Sequence, residues 1–303
     1  MMTMRYYLTS FLLLMIYVCS AQDKSLLIKK EVIEDISNDA VEVSSISYLS
    51  DGLKVNGYLL KPKKEGNYPC IVYNRGGNRE FGSWNLSSVK YLLLPLAKEG
   101  YVVIASQYRG NGGSEGLEQF GGDDVNDITV LPRVLAEIEG ADTSKIGMYG
   151  WSRGGMMTYL ALTQMSGLKA VVVGGAVSDS HAMIKDRQEM DKYVYAELVP
   201  NYAQNKEEEL DKRSAVQWVE SFPKDVPILV LHGAADWHVK PEHSLRMALE
   251  FDKYLIPYRL IMFEGDNHGI RQHRDEVNQQ AINWLDRFLK EDEVAPDMEF
   301  KTK

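Results

Sequence analysis

From residue 70 onward, short apolar runs exchange regularly with longer amphipathic stretches, and few folds accommodate that pattern. Strand-like runs recur at Cys70–Asn74, Tyr101–Ser106, Lys145–Tyr149, Leu168–Val173, Ile228–His232 and Tyr258–Phe263. Between most of them lie Ser87–Lys98, Asp124–Glu139, Arg153–Gln164, Pro241–Lys253 and Arg274–Lys290, each with apolar residues at three- and four-residue spacing. Strands and helices in alternation predict an α/β fold with a mainly parallel central sheet flanked by helices. Val41–Tyr48 and Lys54–Leu60, joined by the turn Ser50-Asp51-Gly52, predict an antiparallel hairpin at one edge. From Ser178 to Lys224 there is no strand signal but much charge, including Glu207-Glu208-Glu209, which reads as a solvated helix face. This stretch is expected to be a helical insertion or lid. Ligands bind beyond the carboxyl ends of the strands in such sheets, so it would overhang the site.

The N-terminus does not fit this rhythm. Arg5 precedes the apolar run Leu8–Cys19, and the small residues Cys19-Ser20-Ala21 stand ahead of Gln22-Asp23-Lys24. That order matches a secretory signal peptide over residues 1–21, cut after Ala21, with a single domain over 22–303. The run is shorter than the ~20 apolar residues a membrane span needs, so no transmembrane segment is expected in the mature chain. Bulky Tyr17 and Val18 argue against lipid attachment at Cys19. The expected protein is therefore exported, periplasmic or secreted. It keeps one cysteine, Cys70, and so has no internal disulfide. Within an apolar strand-like run, that cysteine reads as a small buried hydrophobe. With 34 Lys and Arg against 43 Asp and Glu, the net charge is −9 and no basic stripe is present. Nucleic acid is not expected as a partner.

The strongest local signal is Gly150-Trp151-Ser152-Arg153-Gly154-Gly155. Gly-x-Ser-x-Gly alone is common by chance, but here a strand-like run precedes it and a helix-like stretch follows. That is the context a nucleophile elbow requires. A serine on a tight strand-to-helix turn needs small neighbours two residues away. The turn lifts its hydroxyl above the sheet, and the helix N-terminus favours developing negative charge. A serine hydroxyl needs a base, and the base an orienter. In this arrangement an acid and then a histidine follow in chain order. Asp236 lies in the loop after Ile228–Gly233, and His268 in the loop after Tyr258–Phe263. Among rivals, His232 reads as structural, His238, His243 and His273 as surface residues, and His181 as part of the insertion. Asp266 lies too near His268 in sequence to serve from the neighbouring strand. The histidine spacing is not that of a zinc site, so neither metal nor cofactor is expected. The oxyanion hole would take the backbone N–H of Arg153 and a second donor from the loop Asn74-Arg75-Gly76, with Gly77 beside it.

These motifs resemble the catalytic domain of the prolyl oligopeptidase family within the α/β-hydrolases. The likeness rests on Gly150–Gly155, on Leu231–Val239 with its Asp-x-x-Val, and on Asn267-His268-Gly269. Tyr108-Arg109-Gly110 with Gly112–Gly116, and Arg213-Ser214-Ala215, add to it, and it runs from about Ile46 to Leu289. It implies an acyl-transfer hydrolase with a small peptide or ester substrate. Two departures stand out. Residues 22–69 leave no room for the β-propeller of the family's peptidases. The tyrosine that many of them place in the oxyanion hole is replaced by Asn74-Arg75, with Tyr73 earlier. The form implied is propeller-less: a peptidase, with a carboxylesterase or dienelactone-hydrolase-like esterase as the alternative. A non-catalytic binding protein on a hydrolase scaffold is the reading from another class. The family builds its acyl pocket from aromatic residues in the insertion, which points to Tyr193 and Tyr195.

Overall fold

The computed structural model describes residues 25–299. The signal-peptide expectation for residues 1–21 lies outside them. One sheet of nine strands runs through the molecule: β1 (Leu27–Val32), β2 (Val41–Ser50), β3 (Leu53–Pro62), β4 (Tyr68–Asn74), β5 (Val102–Ser106), β6 (Ala141–Trp151), β7 (Leu168–Gly174), β8 (Ile228–Gly233) and β9 (Tyr258–Phe263). Their spatial order is β1-β2-β3-β5-β4-β6-β7-β8-β9. From β5 to β9 every neighbouring pair is parallel, whereas β1, β2 and β3 join antiparallel at one edge. This is the α/β-hydrolase architecture the sequence predicts.

The central strands β4, β5, β7 and β8 are apolar almost throughout because helices cover both faces, and successive side chains feed opposite cores. Val72, Ile104, Met148 and Val171 pack with Met156, Tyr159 and Phe251 on one face. Ile71, Tyr73, Val103 and Val172 pack with Leu93, Trp284 and Phe288 on the other. Cys70 is buried among the first group, and burial pushes its thiol up to about 12, so it acts as a hydrophobe.

Two elements differ from the sequence reading. Strand β1 was not anticipated. Its Lys29, Lys30 and Glu31 interrupt any apolar alternation, and the strand lies exposed on the sheet edge, where charge is tolerated. The helix expected over Asp124–Glu139 is divided into Asp123–Val125, Asn126–Thr129 and Leu131–Leu135. Pro132 has no N–H to continue the ladder, and the Asp124 and Asp127 carboxylates are taken by Arg153 and Arg109. Between β7 and β8 the insertion is helical as expected, with Ser180–Asp186, Tyr202–Lys212 and several shorter turns. None of the described helices is long and apolar enough to cross a membrane.

Candidate active site

Five loops at the carboxyl ends of the parallel strands converge here. Ser152 directly follows β6 with φ 59° and ψ −121°, a backbone setting few non-glycine residues adopt. The helix Arg153–Leu162 begins immediately after it. The flanking glycines are steric necessities. A Cβ on Gly150 would collide with Gly154 O and Thr158 Oγ1, and one on Gly154 with Asn74 O. Gly155 lies against Ala176, and Gly174 lies against the Trp151 ring. The elbow is held by Ser152 N–H donating to Gly174 O at 2.8 Å.

Asp236 is buried in the loop after β8. Its Oδ2 is 2.7 Å from His268 Nδ1, and its Oδ1 accepts the N–H groups of His238 (2.8 Å) and Val239 (3.1 Å). Burial alone would raise this carboxyl. The hydrogen bonds from His232 and His268, with the Val239 N–H, outweigh that and hold it well below the usual carboxylate range. Trp151 Nε1 donates to His268 O at 3.0 Å, and a Cβ on Gly175 would stand 3.1 Å from the His268 ring. Both residues shape the imidazole's seat. Trp151 belongs to the elbow motif itself, whereas Gly175 carries no recognisable sequence signal, since a glycine after a strand reads as an ordinary turn. The Ser152 hydroxyl has no hydrogen bond to His268 among the described residues, and such contacts commonly tighten only when substrate binds.

The rivals are otherwise employed. Asp266 accepts the N–H groups of Asn267, Arg271, Gln272 and His273 and pairs with the His273 ring, so it organises its own loop. His232 is buried, bonded to Ser244 Oγ and Val239 O, and lies 3.4 Å from Asp236 Oδ2. His181 pairs with Asp211 in the insertion. Of the three histidines expected at the surface, one is buried and His238 and His273 are half-buried. His243 is buried, its Nδ1 accepting from Ser178 and Asp179 N–H, and burial brings it down to about 4. The His238 ring is half-buried, 5.2 Å from that of His268.

Of the three residues proposed for the second oxyanion donor, the structure brings Gly76 against the nucleophile. A Cβ there would lie 3.2 Å from Ser152 Cβ. The Asn74 side chain donates to Thr158 Oγ1 at 2.8 Å. The Arg75 guanidinium is buried and gathers the loop by donating to Gly76 O, Arg79 O and Gln107 O. Arg153 completes the bracing. Its Nη1 donates to Gly77 O at 3.0 Å and pairs with Glu118, and its Nη2 pairs with Asp124 at 2.6 Å. One side chain thus ties the elbow to the glycine loop.

Ser152 and His268 line two cavities. The first, about 400 Å³, is walled by Tyr73, Gly76, Phe81, Trp84, Trp151 and Arg274. The second, about 250 Å³, is walled by Phe120, Val177, Met183, Arg187, Met190 and Val239, so part of its wall comes from the insertion. Tyr193 and Tyr195 line neither. They sit on a π-helical turn, Asp191–Tyr195, that follows Met190, a residue of the second cavity's wall. Tyr193 is exposed, with its carbonyl bound by Arg79. Tyr195 is insertion core, its hydroxyl on Ser180 Oγ at 2.9 Å and its ring edge-on to Phe120.

A serine elbow above a mainly parallel sheet, with a buried aspartate and its histidine partner on the loops after β8 and β9, is the plan of an α/β-hydrolase. The sequence profile of the prolyl oligopeptidase family matches residues 84–292, and the chain belongs to that family. It is a serine hydrolase of the peptidase class. An uncharacterized peptidase of Bacillus subtilis, YtmA, is 33% identical over 82% of this chain and 94% of its own length. The mouse prolyl endopeptidase FAP is 25% identical over 86% of this chain, which covers 35% of that protein. Among solved structures, the Pyrococcus horikoshii acylaminoacyl peptidase superposes with a TM-score of 0.72 at 27% identity, over 86% of this chain and 43% of that one. The chain therefore spans less than half of the last two.

Proposed function

We propose that this chain is an exported serine peptidase with an α/β-hydrolase domain over residues 22–303, working by acyl transfer. Ser152 attacks the carbonyl carbon and His268 takes its proton. The backbone N–H groups of Arg153 and of the Gly76 loop hold the oxyanion. His268 then protonates the leaving nitrogen, and water hydrolyses the acyl-serine by the same steps. Asp236 orients the imidazole and stabilises its charged form. The observation that carries this reading is the 2.7 Å contact between His268 Nδ1 and buried Asp236 beside a strained serine elbow. The peptidase-named relatives support a peptide substrate. A carboxylesterase is the second reading, favoured by the oxyanion loop. Tyr73 is buried against Trp84 and Tyr149, and no tyrosine stands next to Gly76. Hydrolysis of peptide anilides and aryl esters sharing one acyl group separates the two. Anilide cleavage establishes the peptidase, and ester cleavage alone the esterase.

The acid limb of kcat/KM should follow a single proton. The base must lose its proton to accept one from Ser152, so the rate rises with pH. Asp236 is already ionised across that span because its carboxyl titrates far below it. His238 is lowered from its ordinary value, first by burial and then by the charge of His268, which favours its neutral form. A plot of log kcat/KM against pH should therefore climb with a slope of one; a slope of two would show a second required group.

The second cavity should choose the acyl group. Met183→Ala or Met190→Ala removes apolar contact there and should change the ratio of kcat/KM for bulky and small acyl groups by about tenfold. Tyr193→Ala should leave that ratio unchanged.

A further inference from the structure

The cavity that the insertion does not touch contains a cation without a counterion. Arg274 opens the C-terminal helix Arg274–Leu289 and lines this cavity together with Ser152 and His268. Its Nη2 donates to Gly269 O at 2.6 Å, and its guanidinium carbon lies 5.6 Å from the ring centres of both Trp151 and Tyr91. Its Nε is shielded from solvent and has no acceptor, and the side chain forms no ion pair among the described residues. The other charged groups in the cavity are committed. Arg75 is turned into the loop carbonyls, and Glu80 Oε1 accepts the Gly112 N–H. A partly buried guanidinium with free donors, held between two aromatic rings, loses hydration without regaining it from the protein. Its planar fork matches a carboxylate.

We infer that Arg274 binds the free carboxylate of the leaving group, so that the enzyme releases a C-terminal residue bearing a free carboxylate. The assignment rests on the acyl-transfer reading above, in which the acyl group occupies the insertion-walled cavity and the departing amine lies beside His268. In that step the amide C–N bond breaks, and the nitrogen takes its proton from the imidazolium. The amino acid then departs with its carboxylate still ionised. In a C-terminal residue the carboxylate carbon is two bonds from that nitrogen, so both must fit one cavity next to His268. The volume of about 400 Å³ suits a group of this size.

The test uses N-acyl dipeptides of one sequence ending in either carboxylate or carboxamide, with release of the C-terminal residue followed by chromatography. The ratio of kcat/KM, acid over amide, should fall about tenfold or more from the wild-type enzyme to Arg274→Gln, with Arg274→Lys between them. Comparing ratios cancels the different basicity of the two leaving amines and any general loss of folded enzyme. The same ratio in wild type and Arg274→Gln would overturn the assignment. The wild-type enzyme alone gives a second reading. Alanine should inhibit competitively and more strongly than alaninamide, and equal inhibition would overturn the assignment as well. A wild-type protein that cleaves neither dipeptide nor any aryl ester, and takes no fluorophosphonate, would instead refute the serine-hydrolase reading beneath it.

Discussion

Asp236→Asn should leave a folded protein whose kcat is lower by ~10⁴, the loss seen when a triad aspartate becomes its amide. The replacement is nearly isosteric. One amide oxygen can still accept the His238 and Val239 N–H groups that now bind Oδ1. What changes is the group facing His268 Nδ1. A carboxylate oxygen there accepts the hydrogen bond of Nδ1–H and so fixes the tautomer that leaves Nε2 free to act as base. An amide NH₂ in its place donates, reverses the tautomer and blocks the base. The carboxylate's charge, which stabilises the imidazolium, is also lost. Turnover should be measured beside a thermal melt. A folded Asp236→Asn protein with near wild-type turnover, or the same collapse produced by Asp266→Asn instead, would contradict the assignment of the acid.

Ser152→Ala should reduce kcat by ~10⁶, the scale reported for removing a triad nucleophile, while the fold persists. The hydroxyl makes no hydrogen bond among the described residues, so its removal strands no buried partner. The strained φ of 59° belongs to the backbone and is imposed by the packing of Gly150, Gly154 and Gly155, all of which remain. Circular dichroism and the melting temperature should match the wild type closely. Appreciable turnover in a folded Ser152→Ala protein would place the nucleophile elsewhere.

Much of this arrangement was legible in the sequence because steric and periodic constraints leave marks on residue type. The buried parallel strands could only be continuous apolar runs. The elbow could only carry glycines at 150, 154 and 155. Asp236 and His268 stand out by their position after strands, where such sheets place their ligand sites, and the fold brings them to 2.7 Å of each other. What stayed hidden depended on distant partners. Strand β1 is stabilised by pairing with β2, not by apolar alternation of its own. Arg153 reads as the variable residue of a motif, yet its side chain couples elbow to oxyanion loop through Gly77, with partners 29 and 35 residues away. Tyr193 and Tyr195 drew notice as aromatics in the insertion. On the π-helical turn Asp191–Tyr195 one faces solvent and the other the insertion core, while Met183 and Met190 wall the cavity. His243 looked exposed at a helix start, but its imidazole serves the backbone of Ser178 and Asp179 from within the core.

The central claim, that Ser152 is the nucleophile, is tested most directly by treating the native protein with a fluorophosphonate and mapping the adduct by mass spectrometry. The account predicts one adduct per chain, on Ser152, and none on the Ser152→Ala protein. An adduct on another residue, or undiminished labelling of Ser152→Ala, would contradict it.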